Sequence, residues 1–389
     1  MNPCRRVYTA VSAGIADRVP VVPKIWVDLG AALTGTDLKD VITDPLTALK
    51  VIVEAGILCS ADAVRQFHFP ERRISVDGGR VLEIDSTGRV LGEIDMNGGL
   101  ATRLFDPEYF DLESPYFMTY HHYWSSDIPF VRDLRDARRI NVPEKRFFRE
   151  LGLEERQKKI RDEYGERIAL LGDCSSATLA FLVCMRGMSR AMFDLIENPD
   201  LVHAVMEKGV AIAVEKGKFN LDMGVKILRL NDSVGNMSVI SPEHWRKFVF
   251  PHMKEVCDAL HSYDRDARVY CHICGNILPI AEDLVQTGLD CIAPLDPLGG
   301  FTPADVRRRV GDAVSLMGGV DTLSFINRSP EGLIEEAKGC ILGGGRKGGF
   351  ILGSGCVIPR SARRENLVAL SEAARRYGVY QGDTLKLSG

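Results

Sequence analysis

The stretch ARVYCHICGNILPIAEDLVQTGLDCIAPLD, residues 267–296, decides the fold. It opens on a continuous apolar run (267–275), passes through a segment with helical spacing (276–287), and returns to a second apolar run (290–296). Runs that are apolar throughout, instead of alternating, mark parallel strands buried on both faces, and a parallel pair needs a crossover such as a helix. Working outward, the same unit recurs. VPVVPKIWV (19–27), AGILCSADAV (55–64), ERIALLGD (166–173) and VKILRLND (225–232) precede it, and AVSLMGGVD (313–321) and GGFILGSG (348–355) follow. Helical patterns fill 42–54, 197–217, 242–262, 302–310, 329–342 and 360–377. Ser241, Pro242 and Glu243 supply an N-cap, a first-turn proline and a first-turn acid. Eight strand–helix repeats predict an α/β chain folded as one (β/α)8 TIM barrel domain over 1–389. The alternative is an open doubly wound sheet, but no glycine-rich dinucleotide fingerprint follows the first strand.

One region, about 69–141, breaks the rhythm. RRISVDGGRVLEIDSTGRVLGEIDM (72–96) alternates in short runs, with hairpin-type turns at Asp77-Gly78-Gly79 and Ser86-Thr87-Gly88. It predicts a β-rich insertion after the second strand that continues through the aromatic stretch PYFMTYHHYW (115–124). A long insertion on a barrel loop is more often a lid or partner surface than a spacer.

Composition narrows the function. With 45% hydrophobic and 26% charged residues and a formal net charge of −4, the 389-residue chain is ordinary and globular. It has no basic block suited to nucleic acid or an anionic membrane. Nothing approaches the ~20 apolar residues of a membrane span, and the start MNPCRRVYTAVSAG lacks an apolar signal core. The ten cysteines are scattered, which reads as reduced thiols and a cytoplasmic location.

Barrel chemistry sits at the C-terminal ends of the strands. The fifth strand ends in Cys271-His272-Ile273-Cys274-Gly275, and the eighth in Gly353-Ser354-Gly355-Cys356. His272 and Cys274, two apart, share one side of an extended chain, while Cys271 points away. Cys356 comes from a strand three places round a narrow barrel. One imidazole and two thiolates suit Zn2+ and leave the open position that catalytic zinc requires. By itself an H-x-C pair is a weak signal; a buried cysteine beside a hydrogen-bonded histidine explains it equally. The fourth strand ends in Asn231-Asp232, candidates for orienting substrate or for acid–base work, or else for strand-end capping. Asp296 and Asp321 are candidates for orienting His272 through its other ring nitrogen, or simply structural carboxylates. Cys174 and Cys291 read as buried thiols, His121 and His122 as diverging neighbours, and GRKGG (345–349) as a loop without the full phosphate-binding pattern.

At these residues the sequence resembles a known superfamily. HICGN followed by TGLDCIAPLD, NDSVGNMSVISPEHWRKFVFPHMKEV, LMGGVD and FILGSGCVIP are similar to the motifs of the uroporphyrinogen decarboxylase superfamily, in its cobamide-dependent methyltransferase branch. The resemblance covers roughly 160–370. It implies that His272, Cys274 and Cys356 hold zinc. It also implies that a methyl group moves between a small substrate, a methoxylated compound or a thiol, and the cobalt of a corrinoid on a separate corrinoid-binding protein. The insertion departs from the compact thiol-methylating members. Its Tyr116, Phe117, Tyr120, His121, His122, Tyr123 and Trp124 either cover an aromatic methyl donor or pack the insertion onto the barrel, and packing is favoured. Two other readings stay open: a metal-free uroporphyrinogen-type decarboxylase using Asp232 or another carboxylate, and a noncatalytic barrel that binds a tetrapyrrole or corrinoid. VVPKIWVDLG (21–30), with Lys24 and no arginine, disfavours the decarboxylase.

Overall fold

The computed structural model describes residues 1–386. In chain order its strands begin with β1 (Ala63–Arg65). Next come β2 (Arg73–Asp77), β3 (Arg80–Ile84), β4 (Val90–Ile94), β5 (Thr102–Leu104) and β6 (Trp124–Ser125). The barrel then resumes with β7 (Ala169–Ser176), β8 (Ile227–Asn231), β9 (Arg268–His272), β10 (Cys291–Leu295), β11 (Ser315–Val320) and β12 (Phe350–Ser354). β1 and β7–β12 form one curled sheet in the order β1-β7-β8-β9-β10-β11-β12, every pair parallel.

The eighth stave is the proline-bearing segment at 20–24. Val22 N donates to Leu352 O (2.8 Å) and Leu352 N to Pro20 O (2.9 Å). On its other edge Val21 O accepts from Asp62 N (2.8 Å) and Ala63 N (3.4 Å). The barrel is thus closed, but by an irregular stave. Pro20 and Pro23 lack the N–H that a two-sided ladder demands. The second predicted strand is corrected: its first residues belong to the helix Pro45–Leu58, capped by Asp44, and only Ala63–Arg65 pair as strand.

A small apolar plug fills the lower barrel, with Val22, Ala63, Leu171, Ile227, Met317 and Ile351 among its members. The helix Pro3–Val11 stops that end with Val7, Ala10 and Val11. A much larger apolar layer lies between the wall and the outer helices. The predicted helix start holds: Ser241 Oγ accepts from His244 N, and a π-helical turn (Trp245–Val249) precedes Pro251, which has no N–H to offer the turn before it.

β2–β6 make a separate five-stranded sheet, the insertion predicted after the second strand. Gly78 and Gly79, both at positive φ (56° and 85°), turn the β2–β3 hairpin as read from the sequence. The aromatic stretch is corrected. Residues Pro115–Tyr120 are α-helical and His121–Tyr123 form a 3-10 turn; only Trp124–Ser125 extend the sheet. Its rings pack on one another and on Phe110 and Phe69, so they are core and not an open cover. Among the described residues no helix is long and apolar enough to cross a membrane.

Candidate metal centre

Side chains on β9 alternate between two environments. Tyr270 belongs to the inner plug and Cys271 to the outer layer, so His272 is turned inward with Tyr270. Beyond the strand end, Gly275 takes a left-handed φ of 84° with no room for a side chain, since a Cβ would lie 3.0 Å from the Asn236 amide. This tight turn leaves Cys274 at the barrel mouth. Cys356 lies just past β12, where Ser354 Oγ accepts from Lys24 N (3.1 Å) and donates to Cys356 O (2.6 Å), tying the first stave to the last loop.

The structure brings all three predicted donors together. Cys356 Sγ stands 3.9 Å from His272 Nε2, and one donor atom from each of His272, Cys274 and Cys356 lies within 4.8 Å of the others. Tetrahedral zinc, with Zn–S near 2.3 Å and Zn–N near 2.0–2.1 Å, needs donors roughly 3.5–3.8 Å apart, so the set fits with small adjustments. Burial holds the His272 pKa well below its ordinary value, and Lys24, Arg229 and Arg65 add to this, so the imidazole is neutral, as a ligand must be. The two thiols are close enough to shift one another in opposite directions. The contact with Cys274 lowers the pKa of Cys356, while the same contact raises that of Cys274.

The centre also holds a residue that the sequence did not place in the site. Lys24 Nζ contacts His272 Nε2 at 2.6 Å and Nδ1 at 3.3 Å. Asp296 and Asp321 do not orient the histidine. Asp296 accepts from Gly275 N (2.9 Å) and Leu298 N (3.0 Å), holding the loops that carry the centre, and Asp321 accepts from Leu323 N (2.9 Å). Asn231 pairs in register with His272, and its amide bonds Arg229 (2.6 Å) and Ser176 (3.3 Å). Asp232 turns to the outer side of the wall, where its Oδ1 accepts from Ala180 N (2.6 Å) in the first turn of the helix Leu179–Arg186. It serves there as a helix-start acceptor. Cys174 and Cys291 are buried thiols whose pKa burial raises. His121 is buried with Nδ1 on Met118 O, and residues 345–349 lead into β12 with Gly349 N on Gly14 O.

Below the centre lie Arg65, Arg229 and Tyr270, also missed, together with Asp173 from the end of the run 166–173. Their signal was a charged or hydroxylated residue at an inward position of an apolar run: Arg65 in DAVRQF, Arg229 in KILRLND, Tyr270 in RVYCH.

Comparison with known proteins places this geometry. Residues 125–377 match the model of the uroporphyrinogen decarboxylase (URO-D) family. A methylated-thiol–coenzyme M methyltransferase of Methanosarcina mazei is 26% identical over 49% of this chain and 48% of its own. A methylcobamide:CoM methyltransferase of Methanosarcina barkeri is 22% identical over 57% and 62%, and a uroporphyrinogen decarboxylase of Coxiella burnetii 23% over 55% and 59%. The matched region thus spans about half to three-fifths of these curated relatives. A solved methyltransferase from Methanosarcina mazei superposes with a TM-score of 0.73 at 17% identity, covering 97% of this chain and 99% of that one, which establishes the barrel. With well over half its length inside the family's boundaries, the chain belongs to the uroporphyrinogen decarboxylase (URO-D) family.

Proposed function

We propose that this protein is a methyltransferase that moves a methyl group between a small methoxylated compound or thiol and the cobalt of a corrinoid carried by a partner protein. His272, Cys274 and Cys356 hold zinc in this reading. The observation that carries it is the convergence of one neutral imidazole and two thiols at the C-terminal mouth of the barrel. The names of two relatives, which act on methylated thiols or methylcobamide, favour methyl transfer over decarboxylation. Bound zinc would act as a Lewis acid on the substrate heteroatom, lowering the pKa of a thiol or drawing electron density from an ether oxygen.

The chain's own residues have separable tasks. Asp296 fixes the loops beneath Cys274 through Gly275 and Leu298. Ser354 locks the loop of Cys356 to the first stave. Asn231, held by Arg229 and Ser176 in register with His272, offers a fixed amide beside the reacting groups, and we assign it to orienting substrate.

Metal analysis after zinc reconstitution should give about one zinc per chain. The Cys274→Ser/Cys356→Ser double variant should lose it, and methyl exchange between cobalamin and a panel of thiols and methoxylated aromatics should fall at least roughly 100-fold. A reconstituted wild-type protein that holds no zinc sinks the proposal.

A further inference from the structure

The closed end of the barrel holds a cavity of about 540 Å3. It lies where the helices Pro3–Val11 and Leu153–Tyr164 meet the starts of β7 and β8. Ile160, Ile168, Ala169, Leu170, Val225 and Ile227 make its apolar wall. Ile227 precedes Asn231, the register partner of His272, by four residues on β8. The cavity is therefore roughly 13 Å of strand away from the metal centre, at the opposite end of the staves.

The wall has little to offer water. Its polar side chains are already engaged: Tyr8 Oη donates to Asp266 O (3.0 Å), Tyr164 Oη to Glu54 (2.5 Å), and Lys226 Nζ to Asp264. An enclosed water needs about two to four polar partners, and an apolar hollow without an occupant leaves its wall short of contacts. Volumes of ~300–1,000 Å3 with a mostly apolar lining are those of small-molecule sites.

The rim is unevenly charged. Arg5 and Arg161 are exposed there, and among the described residues neither is ion-paired. Arg161 gives one N–H to Met223 O (2.5 Å), and the Arg5 guanidinium has no partner. The acid of the same rim, Glu166, accepts from Asn2 Nδ2 (2.6 Å). With Lys226 neutralised by Asp264, two guanidinium groups against one carboxylate leave one net positive charge beside the hollow.

We propose that this cavity binds an amphipathic monoanion, a medium-chain aliphatic acid whose chain fills the hollow and whose carboxylate meets Arg5 and Arg161. The match is complementary twice over: apolar surface leaves water inside, and the single charge is met at the rim. The proposal does not depend on the methyl-transfer reading, because the two sites share no residue. Cys4, exposed on the same rim, reports occupancy.

The probe is decanoate, titrated into the zinc-loaded full chain. It should raise Tm. At about ten times its Kd it should slow alkylation of Cys4 by iodoacetamide roughly tenfold, since about a tenth of the chains remain open; mass spectrometry of the Cys4 peptide reads this. The Cys274→Ser/Cys356→Ser variant should bind decanoate as wild type does. Arg5→Gln, at an exposed position, should weaken decanoate roughly two- to fivefold and leave decan-1-ol unchanged. Leu170→Trp places an indole in the hollow and should abolish the protection of Cys4. If that variant does not fold, the Cys4 and Arg5→Gln measurements decide alone. Unchanged Tm and alkylation in wild type overturn the site. So does decanoate that binds without protecting Cys4, or whose binding is lost with the two thiols of the metal centre. Equal loss of decanoate and decan-1-ol in Arg5→Gln overturns the placement of the carboxylate. Protection by phosphatidylglycerol vesicles but not by decanoate makes this end of the barrel a lipid-docking surface and overturns the free acid.

Discussion

At the scale of single residues, Lys24 is the side chain whose neighbours give it the most consequence. Its Nζ contacts the ring nitrogen of His272 that faces Cys356. Burial, reinforced by Arg65 and Arg229, holds the Lys24 pKa well below its ordinary value, and Cys356 and Cys274 offset this only in part. A zinc ion needs the imidazole lone pair on the nitrogen that Lys24 contacts. Lys24 therefore favours the empty centre over the loaded one. Lys24→Met should bind zinc more tightly, by roughly tenfold in competition with a chromophoric chelator; weaker binding would show that the lysine supports the centre. The sequence made His272 and Cys274 visible because two residues at strand spacing share a face. Cys356 needed the strand count as well. Lys24, Arg65 and Arg229 were readable in principle by the same parity, but only once the inward set of each strand was known, and no local pattern states that. Asp232 misled for a related reason: a one-residue step past a strand end reverses the face, and the carboxylate went to a helix start instead of the site.

At the scale of elements, the seam between the first stave and β12 is where the centre is assembled, since Lys24 comes from one side and Cys356 from the other. Gly353 makes the seam close: a Cβ there would sit 2.6 Å from Val22 O. That contact is with backbone, so neither partner can yield by changing rotamer. Gly353→Ala should push the stave away from β12, lowering stability by about 1–3 kcal/mol in denaturant melts and reducing zinc retention in parallel. A variant with unchanged zinc content and stability would show that the seam is free to slide. The stave's irregularity was legible from Pro20 and Pro23, which cannot donate to a ladder. Its closure of the barrel was not, because those bonds join residues about 40 and 330 positions away. Likewise the alternation in 72–96 and its glycine turns gave the inserted sheet, whereas 115–124 read as strand from its aromatic content. There Ser114 caps a short helix, its Oγ accepting from Phe117 N, and ring packing outweighs β propensity.

At the scale of the whole molecule, the barrel wall is braced from outside, and one brace is sensitive to acid. The helices Pro199–Asp222 and Phe250–Tyr263 pack together beside β8 and β9, the strands that bear Arg229 and His272. Between them His203 Nδ1 and His252 Nε2 meet at 3.1 Å, a contact in which one ring must be the acceptor and hence unprotonated there. Burial, reinforced by His203, holds the His252 pKa down to about 4. In the unfolded chain the same group titrates near 6.5. Between these values the unfolded chain binds a proton that the folded one refuses, so the contribution of His252 to stability is complete above about pH 6.5 and is lost as pH falls toward 4. The loss should be on the order of 1–3 kcal/mol. His252→Gln keeps a hydrogen-bonding group toward His203 but cannot titrate. Between pH 7 and pH 4 wild type should therefore lose more denaturation free energy than His252→Gln, by that amount. Because the brace stands behind the strand that presents His272, the wild-type zinc centre should also become more accessible to chelators over the same interval, and the variant's less so. Parallel acid losses in the two proteins would place the sensitivity elsewhere, in the ligand thiols and imidazole themselves.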